Sequence, residues 1–214
     1  MQHRGLLFLH HSLKALASKR LATDRRAFHE LAASMLAYML RLWQALHTAL
    51  LEQLAGGAKE AEVTLQKTVL ALKVLRKLVI QGLKKPEESG EAMAFIQSLF
   101  PECRALLQAR LAAPNHLKEP IEKYIVLQQK VWSDLLENHP FAFVQHITTA
   151  LTFVCSLCFT EQGEGVLFQR FTIFCLNLLK GVLLCMEYRP AKVVEDTRDP
   201  ATLTAHNLKC EFFR

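Results

Sequence analysis

The stretch KEAEVTLQKTVLALKVLRKLVIQG, residues 59–82, carries most of the information about the fold. Its polar side chains recur at alternating steps of four and seven residues, in a series that runs past the end of the stretch: Glu62, Gln66, Lys73, Lys77 and Lys84. Such steps return to one side of an α-helix, so the pattern predicts a helix with a single narrow polar stripe. The rest of its circumference is apolar and has to be covered by neighbouring helices.

Similar apolar patterns with helical spacing begin near residues 6, 63, 121 and 166, and each is followed by a second helical stretch. The period of about 50 residues is close to that of helical repeat proteins, and no stretch alternates like a β-strand. The sequence therefore predicts an all-α fold, a HEAT-repeat or armadillo-like α-solenoid of about four antiparallel helix pairs. We expect a single domain with these approximate repeats, the last of them incomplete: 1–57, 58–115, 116–160 and 161–214.

Residues with restricted or capping backbones mark the helix ends. Asp24 is the predicted N-cap of the second helix, and Gly56 and Gly57 are expected to end it. Pro101 is expected to kink or split the fourth helix, because a proline cannot donate the interior hydrogen bond. Pro120 fits the first turn of the fifth helix, where that hydrogen bond is not needed.

The composition is that of an ordered protein with a substantial core. The 214 residues are 51% hydrophobic and 21% charged, with only 8 Gly and 7 Pro. The net charge of +6 comes from residues 1–115, since the remainder is close to neutral. The basic residues are spread along helix faces without interleaved exposed aromatics, so we expect no binding of nucleic acid.

Two compartments are disfavoured by the apolar stretches and the cysteines. Residues 5–9 form too short an apolar run for a secretory signal, and the longer run at 171–186 is broken by Asn177 and Lys180. We therefore expect neither export nor insertion into a membrane. The six cysteines lie inside apolar helical patterns, which favours a reducing compartment over a disulfide framework.

Three features could carry chemistry: the CxxC of Cys155 and Cys158, the carboxylates Glu161 and Glu164, and the adjacent His10 and His11. The CxxC has no second CxxC or spaced histidine pair, and free cysteines on an apolar helix pack as small hydrophobes. The carboxylates lack a companion nucleophile, and neighbouring histidines point about 100° apart on a helix, which is poor metal geometry. We expect no catalytic residue, metal or cofactor, although an enzyme with its site around Cys155 and Glu161 is the rival hypothesis.

Two sets of side chains are candidates for binding a protein partner. The first is a basic stripe that an acidic partner would match: Lys73, Arg76, Lys77 and Lys84, with Lys85 beside it. Glu87, Glu88 and Glu91 follow closely and could neutralise it. The second set is Phe168 and Phe171, three residues apart on the seventh predicted helix, for which core packing is the alternative.

Several long strings of this sequence resemble the beta-type karyopherins, the importin-beta family. These strings follow one another along nearly the whole chain: ALASKRLATDRRAFHELA (15–32), TLQKTVLALKVLRKLVIQG (64–82), ENHPFAFVQHI (137–147), FTEQGEGVLFQRF (159–171) and EYRPAKVVEDTRDPATLTAHNLKCEFF (187–213). An ordered match of this length is far more specific than any single motif.

The resemblance implies a HEAT-repeat receptor for protein import into the nucleus. Such receptors bind cargo on the inner face of the superhelix, contact Phe-Gly nucleoporins through outer grooves and exchange cargo under control of the GTPase Ran. They shuttle between cytoplasm and nucleus through the pore at the nuclear envelope. The outer grooves are where the resemblance would place Phe168 and Phe171.

Both ends of the chain fall inside helical patterns, and members of the resembled family are several-fold longer. We therefore expect an internal segment of the N-terminal half of a receptor, without the repeats that contribute most to Ran recognition. The alternative binding function is that of a HEAT or armadillo scaffold with unrelated protein partners.

Overall fold

The computed structural model describes residues 2–18, 22–57 and 59–139, together with residues 142, 152 and 176. These ranges contain five α-helices, one π-helical and one 3₁₀ segment, and no strand: α1 Gln2–Ser18, α2 Ala22–Gly56, α3 Ala61–Lys77, the π-helix Leu78–Gly82, the 3₁₀ turn Pro86–Glu88, α4 Gly90–Ala112 and α5 Asn115–Asn138. The predicted all-α class is confirmed. The four-pair solenoid and its repeat boundaries stay predictions.

The chain divides into two compact units, Met1–Val131 and Trp132–Arg214. Within the first unit, α2 packs against α1, α3 and α4, and α1 packs against α3. Helices two apart in the chain are thus in contact, which is the arrangement expected where helix pairs stack on one another.

The glycines end α2 as predicted, whereas the predicted N-cap of α2 and the predicted split at Pro101 are not found. Gly57 has a φ of 66°, the left-handed conformation that ends a helix, and α2 stops at Gly56 as expected. The same helix begins at Ala22, so Asp24 lies within its first turn and is not the N-cap. Pro101 lies inside α4 without splitting it.

Pro120 is also placed differently from the prediction. The helix α5 begins at Asn115, because the Leu117 amide already donates to the Pro114 carbonyl over 2.9 Å. Pro120 therefore falls beyond the first turn, and the helix lacks the hydrogen bond that its nitrogen would have donated.

The helix α3 is buried as its sequence requires. Its core side chains have essentially no exposure: Leu72, Val74, Leu75 and, in the following π-helix, Leu78 and Val79. The residues of the polar stripe are more exposed than this core. Glu62 and Gln66 are exposed, and Lys73 and Lys77 are partly buried. One apolar residue departs from the pattern, since Val63 is 49% exposed.

The helix α2 and the π-helix approach each other very closely at Gly82. A Cβ atom added to Gly82 would lie 2.4 Å from the Cβ of Ala32, a distance that real side chains do not reach. Nδ1 of His29, also on α2, lies 2.6 Å from the Gly82 carbonyl oxygen and donates to it. Gly82 is therefore required by the proximity of another helix, and its carbonyl, which the helix end leaves without an amide, is satisfied by His29.

We predict that Gly82→Ala destabilises the chain by about 1 to 3 kcal/mol, because the new methyl group overlaps the fixed Cβ of Ala32. Thermal and urea unfolding followed by circular dichroism measure the change. Combining it with Ala32→Gly should recover part of the loss, since the overlap is then removed.

The matched control is Gly5→Ala, the same substitution in the interior of α1, where a Cβ meets nothing within 4 Å. There the helix propensity of alanine should raise stability by about 0.5 to 1 kcal/mol. Equal effects of the two substitutions would contradict a specific contact at Gly82.

Candidate protein-docking surface

Three of the predicted basic residues lie together near the end of α3, two on its polar stripe and Arg76 beside it. Lys73, Arg76 and Lys77 are all partly buried there. Lys84 is not on this helix face, because the π-helix ends at Gly82 and the backbone at Leu83 is extended. The remaining candidates lie outside the described residues: Phe168, Phe171, Cys155, Cys158, Glu161 and Glu164.

The structure adds two residues of α1 to this surface. His10 and Lys14 lie close enough to α3 for the charges to interact across the helix pair. Partial burial lowers the pKa of His10, and the charges of Lys77, Lys73, His11 and Lys14 lower it further. We call His10, Lys14, Lys73 and Lys77 the basic cluster.

Lys77 carries a positive charge that its surroundings disfavour. Partial burial lowers the pKa of Lys77, and the charges of Arg76 and Lys14 act in the same direction. An ammonium group that loses hydration without gaining a carboxylate is held at a cost in free energy. The basic cluster thus keeps like charges close together at a partly buried surface.

No carboxylate of α1 or α3 lies within reach to balance the basic cluster. The helix α1 contains neither Asp nor Glu, and the one carboxylate of α3, Glu62, precedes Lys73 by eleven residues. That separation is about 16 Å along a helix, well beyond the screening length at physiological salt. The predicted neutralisation occurs elsewhere, where Lys85 Nζ lies 2.5 Å from Oε1 of Glu88.

Reasoning from the sequence missed His10 and Lys14 as parts of this surface. Their spacing of four residues places them on one side of α1, as a sequence pattern can show. Which side of α1 faces which side of α3 depends on tertiary packing. The part of the chain that the structure describes contains no group of three potential metal ligands.

A second polar arrangement is buried between α2, α4 and α5. The Trp43 indole N–H donates to the Tyr124 hydroxyl over 2.8 Å, and Nδ1 of His47 lies 3.0 Å from the same hydroxyl. On its other side, Nε2 of His47 lies 3.1 Å from Oε2 of Glu102. The Trp43 indole also packs edge-on against the ring of Phe95, at 5.5 Å between centroids.

The Tyr124 hydroxyl is the shared partner at the centre of this arrangement. It accepts from the Trp43 indole and forms a second hydrogen bond with Nδ1 of His47, in which the imidazole tautomer sets which group donates. Nε2 of His47 faces the Glu102 carboxylate without a well-formed hydrogen bond to it. We call Trp43, His47, Glu102 and Tyr124 the buried relay.

Burial sets the protonation of the buried relay. Desolvation lowers the pKa of His47 to about 4, and the backbone of Glu102 opposes this shift only in part. Burial likewise raises the pKa of Glu102 and that of the Tyr124 hydroxyl. Because His47 has no exposed surface, the relay can hold three helices in register but offers no substrate a way to its imidazole.

Among the described helices, none is long and apolar enough to cross a membrane. The apolar run at 171–186, which the sequence predicts not to span a membrane, lies outside the described residues.

Comparison with known proteins finds two close relatives by sequence. The chain is 40% identical to human importin-11 and 39% identical to mouse importin-11, in each case over 215 aligned positions that cover 99% of this chain. The chain spans 22% of the length of these relatives. The resemblance to importins found in the sequence is thereby confirmed. No family model matches the chain, and no solved structure does.

We predict that Tyr124→Phe destabilises the chain by about 1 to 3 kcal/mol, because it leaves the buried Trp43 N–H and His47 Nδ1 without their shared partner. Urea unfolding at neutral pH measures the loss. Tyr38→Phe removes a hydroxyl from a side chain that is 61% exposed, and serves as the control with an effect within about 0.5 kcal/mol.

Stability should also fall as the pH drops below about 6.5. The unfolded chain protonates His47 near its ordinary pKa of 6.5, whereas the folded chain keeps it neutral to about pH 4. The contribution of His47 is therefore complete above pH 6.5 and is lost towards pH 4, by up to about 3 kcal/mol. The raised pKa of Glu102 acts in the opposite sense and favours the folded state at low pH.

Comparing the chain with its His47→Gln variant isolates this contribution. Across pH 4 to 7, we expect the free energy of unfolding of the variant to change by about 1 to 3 kcal/mol less than that of the parent. Parallel curves for the two proteins would show that His47 titrates normally in the folded state.

Proposed function

We propose that this chain is a segment of a nuclear transport receptor of the beta-type karyopherin family, and that it acts by binding proteins. The single observation that supports the proposal is the match to importin-11, which runs through nearly the whole chain without concentrating in one motif. An all-α unit in which helices two apart are in contact agrees with the HEAT repeats of that family.

Within such a receptor, we propose cargo proteins, Phe-Gly nucleoporins and Ran as partners. The receptor would move between cytoplasm and nucleus through the pores of the nuclear envelope. This segment would contribute surface to the receptor, of which the basic cluster of α1 and α3 is the described candidate. We propose no nucleic acid partner and no insertion into a membrane.

We also propose that the chain is not an enzyme. The group closest to an acid–base pair among the described residues is His47 with Glu102. His47 is fully buried, and its pKa of about 4 leaves it neutral at physiological pH, in a role that fits packing. The rival site around Cys155 and Glu161 is tested by metal analysis of the purified chain and of Cys155→Ala and Cys158→Ala variants.

A chimera tests the transport proposal. The aligned segment of human importin-11 is replaced by this chain, and the hybrid receptor is assayed for binding to Ran loaded with GTP and for nuclear accumulation of a fluorescent cargo. Because the segments are 40% identical, we expect the hybrid to fold and to retain both activities within about tenfold of the parent.

Two controls make the chimera informative. A receptor that carries Gly82→Ala in the inserted segment reports how far the assay depends on packing of the segment. A receptor with the segment deleted sets the background. A hybrid that folds, as judged by its melting curve, but neither binds Ran nor carries cargo would favour the scaffold alternative.

A further inference from the structure

We propose that the basic cluster, His10, Lys14, Lys73 and Lys77, binds an extended, acidic segment of a partner protein, with Asp or Glu at alternate positions. The proposal rests on the proposed function for the cellular role of that partner, but the binding itself can be measured on this chain alone. It is supported by the like charges of the cluster, by its partial burial, by the spacing of its residues and by surroundings that suit a peptide better than a nucleic acid.

The cluster keeps like charges together where the fold alone gains nothing from them. Lys73 and Lys77 are one helical turn apart, about 6 Å, and like charges at this spacing destabilise a helix. Lys14 adds a third positive charge from α1, and its charge reaches Lys77. Among the described residues, no carboxylate forms an ion pair with any of these three lysines. A bound carboxylate would remove the repulsion.

Three members of the cluster are already partly desolvated. His10, Lys73 and Lys77 are half-buried, and Nδ1 of His10 is buried without a hydrogen-bond partner. Part of the dehydration cost of binding an anion has therefore been met in the folded chain. Carboxylates placed here would supply the counter-charge that Lys77 lacks and an acceptor for the imidazole N–H of His10.

The spacing of the cations fits an extended peptide. Residues four apart on a helix are about 6 Å apart along its axis, which applies both to Lys73 with Lys77 and to His10 with Lys14. Alternate residues of an extended chain are about 6.6 Å apart and point to the same side. A segment lying along the helix pair can thus set successive acidic side chains opposite successive cations.

Protein fits the cluster better than nucleic acid does. Proteins that bind single strands add aromatic side chains on which bases stack. The exposed aromatic residue of α1 is Phe8, which is 76% exposed but lies about 120° around the helix from Lys14. Leu7 is 39% exposed and lies on the same side of α1 as Lys14, about 10 Å from it along the helix, which suits an aliphatic side chain flanking the acidic positions.

The probe is a fluorescein-labelled peptide of five Ser-Glu repeats, measured by fluorescence anisotropy with the 214-residue chain at 50 mM NaCl. We expect saturable binding that weakens at least fivefold at 300 mM NaCl, because ionic contacts at a partly exposed surface are screened. The matched peptide of Ser-Gln repeats should not bind. An oligothymidylate of equal charge should bind at least tenfold more weakly than the acidic peptide.

Charge-reversal variants assign the binding to the cluster. Lys73→Glu combined with Lys77→Glu should weaken binding of the acidic peptide at least tenfold. The control is Lys118→Glu combined with Lys130→Glu, which changes the net charge equally but on α5, and it should remain within twofold of the parent. Lys14→Glu, at an exposed position of α1, tests the contribution of the other helix. It should weaken binding at least threefold, even if the α3 variant folds poorly.

A stability measurement separates docking from a structural role. Lys77→Gln keeps much of the side-chain stem and removes the charge, so the melting temperature should stay equal or rise while binding falls. A lowered melting temperature with unchanged binding would overturn the proposal. Equal loss in the α5 control, binding of the neutral peptide, or tighter binding of the oligothymidylate would also overturn it.

The outcome is independent of transport activity. Peptide binding that is lost in the cluster variants, together with a chimera that fails to bind Ran or carry cargo, would support the docking surface and contradict the receptor. A working chimera with a chain that ignores the acidic peptide would contradict the docking surface alone.

Discussion

The structure of the first compact unit depends on the burial of α3. A helix that is apolar around most of its circumference has to be covered on several sides, and α1, α2 and the π-helical continuation provide contacts that leave Leu72, Val74, Leu75 and Leu78 without exposure. The cost of leaving four such side chains in water would be about 6 to 12 kcal/mol, a large part of the stability of a domain. The polar stripe, with Lys73 and Lys77, lies on the side of α3 that these neighbours cover least.

Because α3 is covered so closely, the neighbouring helices need small and polar residues at particular positions. Ala32 and Gly82 meet at a distance that admits no additional methyl group, and His29 satisfies the carbonyl at the end of the π-helix. Farther along α2, the buried relay ties Trp43 and His47 to Tyr124 of α5 and to Glu102 of α4. Apolar packing tolerates sliding, whereas a buried hydrogen bond does not, so the relay fixes the relative register of these helices.

The same constraint links the fold to the proposed function. Helical repeats bind partners through surfaces that stacking leaves exposed, and here the exposed strip between α1 and α3 carries cations without carboxylates. A fold that only needed solubility would be better served by mixed charges on this strip. Since the chain spans 22% of importin-11, such a surface would be one of several in the whole receptor. The fold itself permits many partners, so the assignment of transport rests on sequence similarity and that of acidic peptides on the local chemistry.

The sequence by itself determined the class of fold, because the apolar period of residues 59–82 can be satisfied only by a helix that is covered on several sides. It also determined the end of α2, where Gly56 and Gly57 act locally. It misplaced Asp24 and Pro120, since short-range capping signals are weak beside the packing of a long helix. Only the tertiary structure decided that His10 and Lys14 join Lys73 and Lys77, that Lys84 does not, and that His47, Tyr124 and Trp43 share hydrogen bonds. The physical reason is that periodicity reveals the face on which a residue lies within its own helix, whereas the identity of the facing residues depends on how separate helices pack.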